Sequence, residues 1–324
     1  EHYDVDGLHF DDYFYLDSFT SSDTSNSNFA GYDSYTVSGP EIMNDWPNYL
    51  AYQQDPAHYG QDVFGQDGYY GIPAGLNLGD FRRENINNMM CNIRKKIDEY
   101  NAREHTYVEF GTKPAAVWRS NSEYCSAGSH RCDPLGSNTA EGAYSTYADL
   151  YADSLQWVKE GLVDWVAPQV YYAFEDEYAP FADIVDWWAE QVDEVNTKRR
   201  KEGLSDIRLY IAHGIYKYRD APDQFYRSSE IIDQIKYTRH YPVIQGSAVY
   251  SYELLYRVLG SDLTQTYPNA ENVRKNAMKQ MKDLWQAPVY PLPIGKYDAS
   301  GLKVNTYQLK ESSTGELTLQ FATI

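Results

Sequence analysis

The sequence has few positive charges and no long apolar run. Its 28 lysines and arginines are outnumbered by 47 aspartates and glutamates, which gives a net charge of −19. Nucleic acid is therefore not an expected partner, because an acidic surface repels a polyanion and no basic run offsets that repulsion. No stretch approaches the roughly 18 apolar residues of a membrane-spanning helix, so no transmembrane segment is predicted. Neither a basic nor an apolar leader opens the sequence, which indicates a mature or trimmed product.

Cysteine is also scarce, with three residues in the chain. Cys125 and Cys132 lie in a loop rich in serine, glycine and asparagine. A disulfide between them would close a small ring and indicate an oxidising, extracytoplasmic location, either secreted or at the cell surface; two free thiols are the alternative. Cys91 falls on the apolar face of a predicted helix and is expected to be buried. No cysteine and histidine spacing resembles a zinc site, and no cofactor is predicted.

Apolar residues and tyrosine are abundant. The hydrophobic fraction of 42% is enough for one large core, and 32 tyrosines supply most of the aromatic content. Tyrosine combines a flat apolar face with a hydroxyl, which suits wet surfaces that bind sugars, although each tyrosine could equally be ordinary core or rim.

Strand and helix patterns alternate along the chain after a short first strand. Predicted strands cover 4–10, 107–112, 163–171, 207–213 and 247–251, and the helices include 147–160, 181–202, 230–240 and 270–285. Another helix follows a long polar stretch at 18–79, with Asp80 as its expected N-cap. Five such repeats predict parallel strands with helices outside, as in part of a (β/α)8 TIM barrel. Residues 1–287 would form this domain, 288–303 a linker, and 304–324 the beginning of a small β-domain.

Chemically versatile side chains cluster where the predicted strands end. In such barrels these ends and the following loops form the site. Carboxylates, amides, histidines and aromatic rings together are typical of sugar chemistry. Alternation along the first strand places Asp11 with His9 on one face and Asp12 on the other, so the two aspartates are not expected to form a catalytic pair. The candidates are His9, Asp11, Asp12, Lys113, Trp118, Arg119, Gln169, Tyr171, Tyr172, Glu175, His213, Tyr250 and Glu253.

Five collinear blocks resemble the glycosyl-hydrolase-like family 10 proteins, which include cell-surface lipoproteins linked to cleavage of peptidoglycan glycan. The first is DGLHFDDYFY at 6–15, which is similar to the family's fourth barrel strand. The other blocks span 81–87, 157–171, 209–216 and 246–252. The resemblance implies a (β/α)8 barrel in which this chain supplies strands four to eight. It also implies that a second chain or an upstream segment supplies the first three.

The resemblance implies roles for individual residues. Asp11 would be the nucleophile or base, at the place where amylase-type barrels carry a fourth-strand nucleophile, with Glu175 or Glu253 as the acid unless the acid lies in the first three strands. His9, Asp12, Gln169, His213 and Tyr250 would contact the glycan. Trp118, Tyr171 and Tyr172 would stack on sugar rings, and Arg83, Lys113 and Arg119 would pair with an anionic substituent.

Two differences from other sugar-cleaving families narrow the range of expected catalytic mechanisms. Tyr13 stands where family-18 chitinases place an acidic glutamate, and Thr112 and Lys113 stand where amylases carry a fifth-strand glutamate. The predicted function is a glycoside hydrolase acting on an extracellular glycan, which the resemblance implies is of bacterial cell-wall type, so we expect a glycan as its partner. Two alternatives remain: a non-catalytic glycan-binding or surface-assembly protein on a degenerate barrel, and a metal-dependent hydrolase using His9, Asp11 and His213.

Overall fold

The computed structural model describes residues 5–12, 14, 48–56, 72–251 and 266–284 with their side chains, and 46–47, 304–311 and 317–323 by their backbone. Tyr13, Glu253 and the expected linker at 288–303 lie outside the described residues. The strands are β1 (Gly7–Phe10), β2 (Glu109–Thr112), β3 (Ser120–Asn121), β4 (Cys132–Asp133), β5 (Trp165–Val166), β6 (Arg208–Gly214), β7 (Ile244–Tyr250), β8 (Val304–Glu311) and β9 (Leu317–Thr323). The α-helices are α1 (Trp46–Gln54), α2 (Leu78–Glu104), α3 (Thr146–Asp149), α4 (Ser154–Lys159), α5 (Phe181–Lys201), α6 (Lys217–Asp220), α7 (Glu230–Thr238) and α8 (Ala270–Leu284).

A parallel sheet of five strands organises the fold, in the order β1-β2-β5-β6-β7. All neighbouring pairs are parallel, and spatial order follows chain order. The protein is therefore a mixed α/β fold, as the alternating pattern predicts, and this sheet is compatible with part of an α/β barrel. The assignment of these strands as numbers four to eight of a barrel remains a prediction.

The main core lies between the sheet and its helices. Phe110, Val166, Leu209 and Ile211 point from their strands into this layer and are fully buried. Phe181 and other apolar residues of α5 cover them, because the apolar positions of this helix recur along one face. Cys91 is buried here, as expected.

Backbone conformation and hydrogen bonding explain why some helices and strands differ from their predicted bounds. The helix expected at 147–160 is divided into α3 and α4, since Tyr151 between them adopts a left-handed φ of 52° that a helix cannot continue through. The strand expected at 163–171 is reduced to β5, because Pro168 has no N–H for a ladder; Gln169 makes only isolated bridges. Asn77, not Asp80, caps α2: its side chain accepts a hydrogen bond from the Asp80 N–H at 2.8 Å.

Two smaller units complete the described structure. Cys125 and Cys132 form a disulfide in the loop that carries β3 and β4, with their Cα atoms 6.4 Å apart. Near the end of the chain, β8 and β9 pair as an antiparallel hairpin. The boundaries proposed for the linker and the β-domain remain predictions.

Candidate active site

The inward face of the sheet carries a layer of aromatic rings below the strand ends. The His9 ring lies 5.7 Å from that of Trp165, which in turn meets Tyr210 edge-on at 6.1 Å. Gly111 leaves room for this indole: a Cβ there would lie 2.0 Å from Trp165 Cε2. His9 therefore belongs to the layer just below the carboxyl ends of the strands. We call this end of the sheet the mouth.

Asp11 lies at the mouth and is held by an amide. Its side chain is 60% exposed, and its Oδ1 accepts a hydrogen bond from Gln169 Nε2 at 3.0 Å. The same nitrogen donates to the Lys113 carbonyl at 2.7 Å, which fixes the amide plane. The Lys113 ammonium lies 3.9 Å from Asp11 Oδ1. Three neighbouring strands thus bring together an accessible carboxylate, an amide that orients it and a nearby ammonium group.

Asp12 lies beside the same amide, although strict alternation places it on the opposite face. Alternation fails here because β1 ends at Phe10 and the chain bends at Asp12. Asp12 is only 8% exposed. Burial raises the pKa of its carboxyl, and the charge of Asp11 raises it further. Three interactions lower this pKa in part: hydrogen bonds from its own N–H and from Gln169, and the charge of Lys113. The structure thus places two carboxyl groups with different environments around Gln169.

Three tyrosines, Tyr171, Tyr216 and Tyr250, form a cluster at the mouth. The Tyr171 ring stacks on Tyr250 at 6.0 Å and meets Tyr216 edge-on at 5.5 Å, and Tyr216 meets Tyr250 edge-on at 5.9 Å. The ring of Tyr250 is half exposed, and the Lys113 ammonium lies 5.8 Å from its centroid. An accessible aromatic ring beside a carboxylate and an ammonium can receive a sugar ring and its polar substituents. Tyr216 is not among the residues predicted for the site, although its position two residues beyond Gly214 places it near the end of the same strand.

His213 faces the helix layer and not the mouth, so the structure does not bring it to the place of its expected contact with a sugar hydroxyl. It shares an outward face of β6 with Ile211, stacks on Phe181 at 5.7 Å and is completely buried. Its ring nitrogens are hydrogen-bonded to Gln234 at 3.2 Å and Ser247 at 3.1 Å. Burial lowers the pKa of the imidazole to about 4.

The orientation of His213 also removes the metal site expected from His9, Asp11 and His213, since His213 lies on the opposite face of the sheet. Among the described residues, no group of three or more His, Cys, Asp or Glu side chains is arranged to hold a metal.

Arg83, Trp118 and Arg119 gather around Tyr147 in a second cluster. Arg83 and Arg119 lie over this tyrosine ring at 3.8 Å and 4.4 Å from its centroid. The Trp118 indole is buried, stacks on Trp187 and donates to Asp153 at 2.8 Å. Trp118 offers no free face for the expected stacking on sugar, because core packing already uses its ring. The structure does not place these three residues in contact with Asp11.

The cations of this second cluster have protein partners. Arg83 donates to the Tyr147 carbonyl at 2.9 Å and pairs with Asp80. Arg119 donates to Asp133 at 2.9 Å and to the carbonyl of Cys132. These contacts tie α2 and the disulfide loop to α3, which is a structural role; pairing with an anionic substituent remains a prediction.

The remaining candidates lie on the loop after β5. Glu175 is exposed and pairs with Arg227 at 3.3 Å, while its other oxygen accepts from the Tyr226 hydroxyl at 3.2 Å. Tyr172 is half-buried against the core, and its carbonyl accepts from Gln234 at 2.9 Å. Burial raises the pKa of the Tyr172 phenol. Neither residue is brought into contact with Asp11.

The comparison with known proteins decides the family. The glycosyl hydrolase-like 10 model matches residues 1–206. The chain belongs to this family. The resemblance inferred from the five sequence blocks is therefore confirmed. Within the described residues, no helix has the length and apolar character needed to cross a membrane.

Curated relatives in this family are named as hydrolases. Glycosyl hydrolase YngK of Bacillus subtilis (strain 168) is 31% identical over 252 residues, which cover 78% of this chain and 38% of that protein. Glycosyl hydrolase DigH of Escherichia coli (strain K12) is 30% identical over 215 residues, or 66% of this chain and 34% of that protein. The chain thus spans little more than a third of the length of these relatives.

Proposed function

We propose that this chain contributes the Asp11 side of the active site of a glycoside hydrolase that acts on an extracellular glycan of bacterial cell-wall type. The observation that carries the proposal is an exposed carboxylate held by Gln169 at the mouth, next to the half-exposed ring of Tyr250. Family membership and the names of the relatives support the reaction class. The disulfide between Cys125 and Cys132 supports an extracytoplasmic site of action.

In this proposal Asp11 acts as the nucleophile or base, because its carboxylate is accessible at the mouth and is held in place by the amide of Gln169. Asp12, whose pKa is raised, lies close enough to modulate Asp11 through its charge. The general acid comes from Glu253 or from strands outside this chain. Glu175 is the weaker candidate, since Arg227 and Tyr226 already occupy its oxygens.

Further strands complete the barrel in this proposal, from the same polypeptide or from a second chain. The support is the edge of the described sheet at β1, where Leu8 and Phe10 are 48% and 39% exposed. Apolar side chains on an unpaired edge are normally covered by a neighbouring strand. Amide hydrogen exchange tests this step: β1 should become protected when the completing segment is present, and unchanged exchange would contradict it.

The Asp11→Asn variant tests the catalytic role. It removes the charge while keeping the shape and the hydrogen bond to Gln169, so we expect release of reducing ends from peptidoglycan glycan strands to fall at least about 100-fold. The melting temperature should remain unchanged because Asp11 is exposed. Asp223→Asn, an exposed aspartate on another loop, is the matched control and should retain activity. Full hydrolysis by Asp11→Asn would end the assignment.

A second candidate function is glycan binding without cleavage. The observation in its favour is that Glu175, the one predicted acid within the described residues, pairs with Arg227 and Tyr226 and makes no contact with Asp11 there. This function predicts measurable binding of the same strands by calorimetry with no release of reducing ends by the unmodified protein. Turnover by the unmodified protein would exclude it.

A further inference from the structure

Tyr226 is an exposed aromatic residue whose ring is held between two charged groups. The residue is 52% exposed, and its hydroxyl donates to Glu175 Oε2 at 3.2 Å. Arg227 pairs with the other oxygen of Glu175 at 3.3 Å, and its guanidinium carbon lies 5.5 Å from the centroid of the Tyr226 ring. A single exposed ring is common on protein surfaces, but a ring that is already fixed loses little conformational freedom when a ligand stacks on it. This accessible and fixed ring therefore suits ligand binding.

Hydrogen bonds join the two loops that carry this ring and its carboxylate partner, one after β5 and the other between α6 and α7. Gln224 Nε2 donates to Asp176 Oδ2 across the loops at 3.2 Å. Arg227 also donates to Glu230 at 3.0 Å, and the buried Glu230 carboxylate accepts from the Phe174 N–H at 2.9 Å. The ring therefore lies on a cross-linked pair of loops and not on an isolated one.

These loops lie beside the tyrosine cluster of the mouth. Glu175 follows Tyr171 by four residues, so their Cα atoms are at most about 14 Å apart. Burial raises the pKa of Tyr172, and Asp176 and Tyr216 raise it further, which places Tyr172 near both the cluster and the loop of Glu175. A glycan that is bound at the mouth and extends by a few sugar units can therefore reach the two loops.

We propose that Tyr226, Glu175 and Arg227 form an outer subsite, which binds a sugar ring of the same glycan away from the bond that is cleaved at Asp11. The face of Tyr226 stacks on the sugar, Arg227 donates to its hydroxyl oxygens, and Glu175 holds the tyrosine in place. The inference rests on the proposed function and deepens it, because it makes a chain of several sugars the preferred substrate.

The Tyr226→Ala variant removes the aromatic face. We expect kcat/KM on long peptidoglycan glycan strands to fall about 5-fold to 10-fold relative to kcat/KM on the shortest fragment that the unmodified protein cleaves, because a stacked ring contributes about that much to binding. Tyr226→Phe keeps the face and loses only the hydrogen bond to Glu175, so its ratio should stay within about 3-fold of wild type. Such a ratio, measured on one preparation, does not depend on the fraction of the protein that is folded.

The outcomes separate the outer subsite from the proposed function. Tyr124→Ala, at an exposed tyrosine of the disulfide loop, is the matched control and should keep the wild-type ratio. An unchanged ratio in Tyr226→Ala, or equal losses in the alanine and phenylalanine variants, would overturn the outer subsite while the hydrolase assignment stands. If the unmodified protein binds the strands without cleaving them, the proposed reaction fails, and calorimetric affinities for long and short glycans replace kcat/KM: a ratio lowered about 5-fold or more in Tyr226→Ala supports the subsite, and an unchanged ratio overturns it. Absence of both cleavage and binding overturns the two together.

Discussion

The face of β6 on which His213 lies determines the surroundings of its side chain. On β6, the residues directed outward enter the core, and His213 is buried there with both ring nitrogens hydrogen-bonded. The neighbouring positions Ala212 and Gly214 face inward, and Gly214 contacts the tyrosine cluster. The imidazole consequently contributes to stability rather than to substrate binding.

This burial predicts a specific loss of stability in acid. The folded pKa of His213 is about 4 against an ordinary 6.5, so between these values the unfolded chain binds a proton that the folded chain does not. Stability from this group is complete above pH 6.5 and is lost as the pH falls towards 4, by about 3 kcal/mol in all. Denaturant titrations across this range should show a shallower pH dependence in His213→Gln. The same dependence in wild type and variant would contradict the prediction, and His240→Gln, at an exposed position, should behave as wild type.

At the scale of the elements, α2 depends on a cap that lies before its first turn. Asn77 accepts the Asp80 N–H at 2.8 Å, and its own amide donates to the Asp80 carboxylate at 2.8 Å. This pair replaces hydrogen bonds that the first turn of any helix lacks. The cap fixes the start of a helix that also carries Arg83 and several core residues.

Removing the cap should destabilise the protein measurably. Asn77→Ala is expected to lower the free energy of unfolding by about 1 kcal/mol, because an amide N–H at the helix start loses its acceptor. Asn77→Ser keeps a capping oxygen and should remain within a few tenths of a kcal/mol of wild type. Urea denaturation of the three proteins measures the difference; equal midpoints for alanine and serine would show that the side chain does not act as a cap.

The same elements show what the sequence could predict. Apolar runs and helical periodicity indicated the strands β1, β2, β6 and β7 and the helices α2, α5, α7 and α8 to within a few residues, since these patterns reflect burial directly. The break at Tyr151 was not predicted, because nothing in that residue type favours a left-handed backbone. The N-cap was placed three residues late because Asn77 and Asp80 are both good capping residues.

For the candidate site, the sequence predicts a cluster of polar and aromatic side chains at the strand ends, and Asp11, Lys113, Gln169, Tyr171 and Tyr250 do come together there. The face of each residue was harder to predict. A bend after β1 brought Asp12 to Gln169, and alternation along β6 directed His213 outward; both depend on the exact residue at which a strand ends. Long loops carried Trp118 and Arg119 into packing that no local pattern reveals.

At the scale of the whole molecule, the net charge of −19 surrounds a site whose tyrosine cluster has two ammonium groups nearby. Lys113 lies 5.8 Å from the centroid of the Tyr250 ring, and Lys217 lies 5.5 Å from that of Tyr216. A negatively charged glycan must approach this acidic surface before Lys113 can contact it. Long-range repulsion weakens as salt shortens the Debye length from roughly 30 Å at 0.01 M to roughly 8 Å at 0.15 M. Salt should therefore help an anionic glycan to bind.

We expect the KM for an anionic glycan to fall several-fold when ionic strength rises from about 0.01 M to about 0.15 M, whereas the KM for an uncharged glycan stays constant. Initial rates measured at several salt concentrations provide the test. A rise in KM with salt for the anionic substrate would indicate that attraction by Lys113 outweighs the overall charge, and would contradict the expectation.

The contact between Gly111 and Trp165 has a consequence for what residue 111 can be. With no Cβ there, the indole lies directly against the backbone of β2; a Cβ would stand 2.0 Å from Trp165 Cε2, which no real contact allows. A single added methyl group at residue 111 would therefore displace the indole and, with it, the aromatic layer on which the mouth rests.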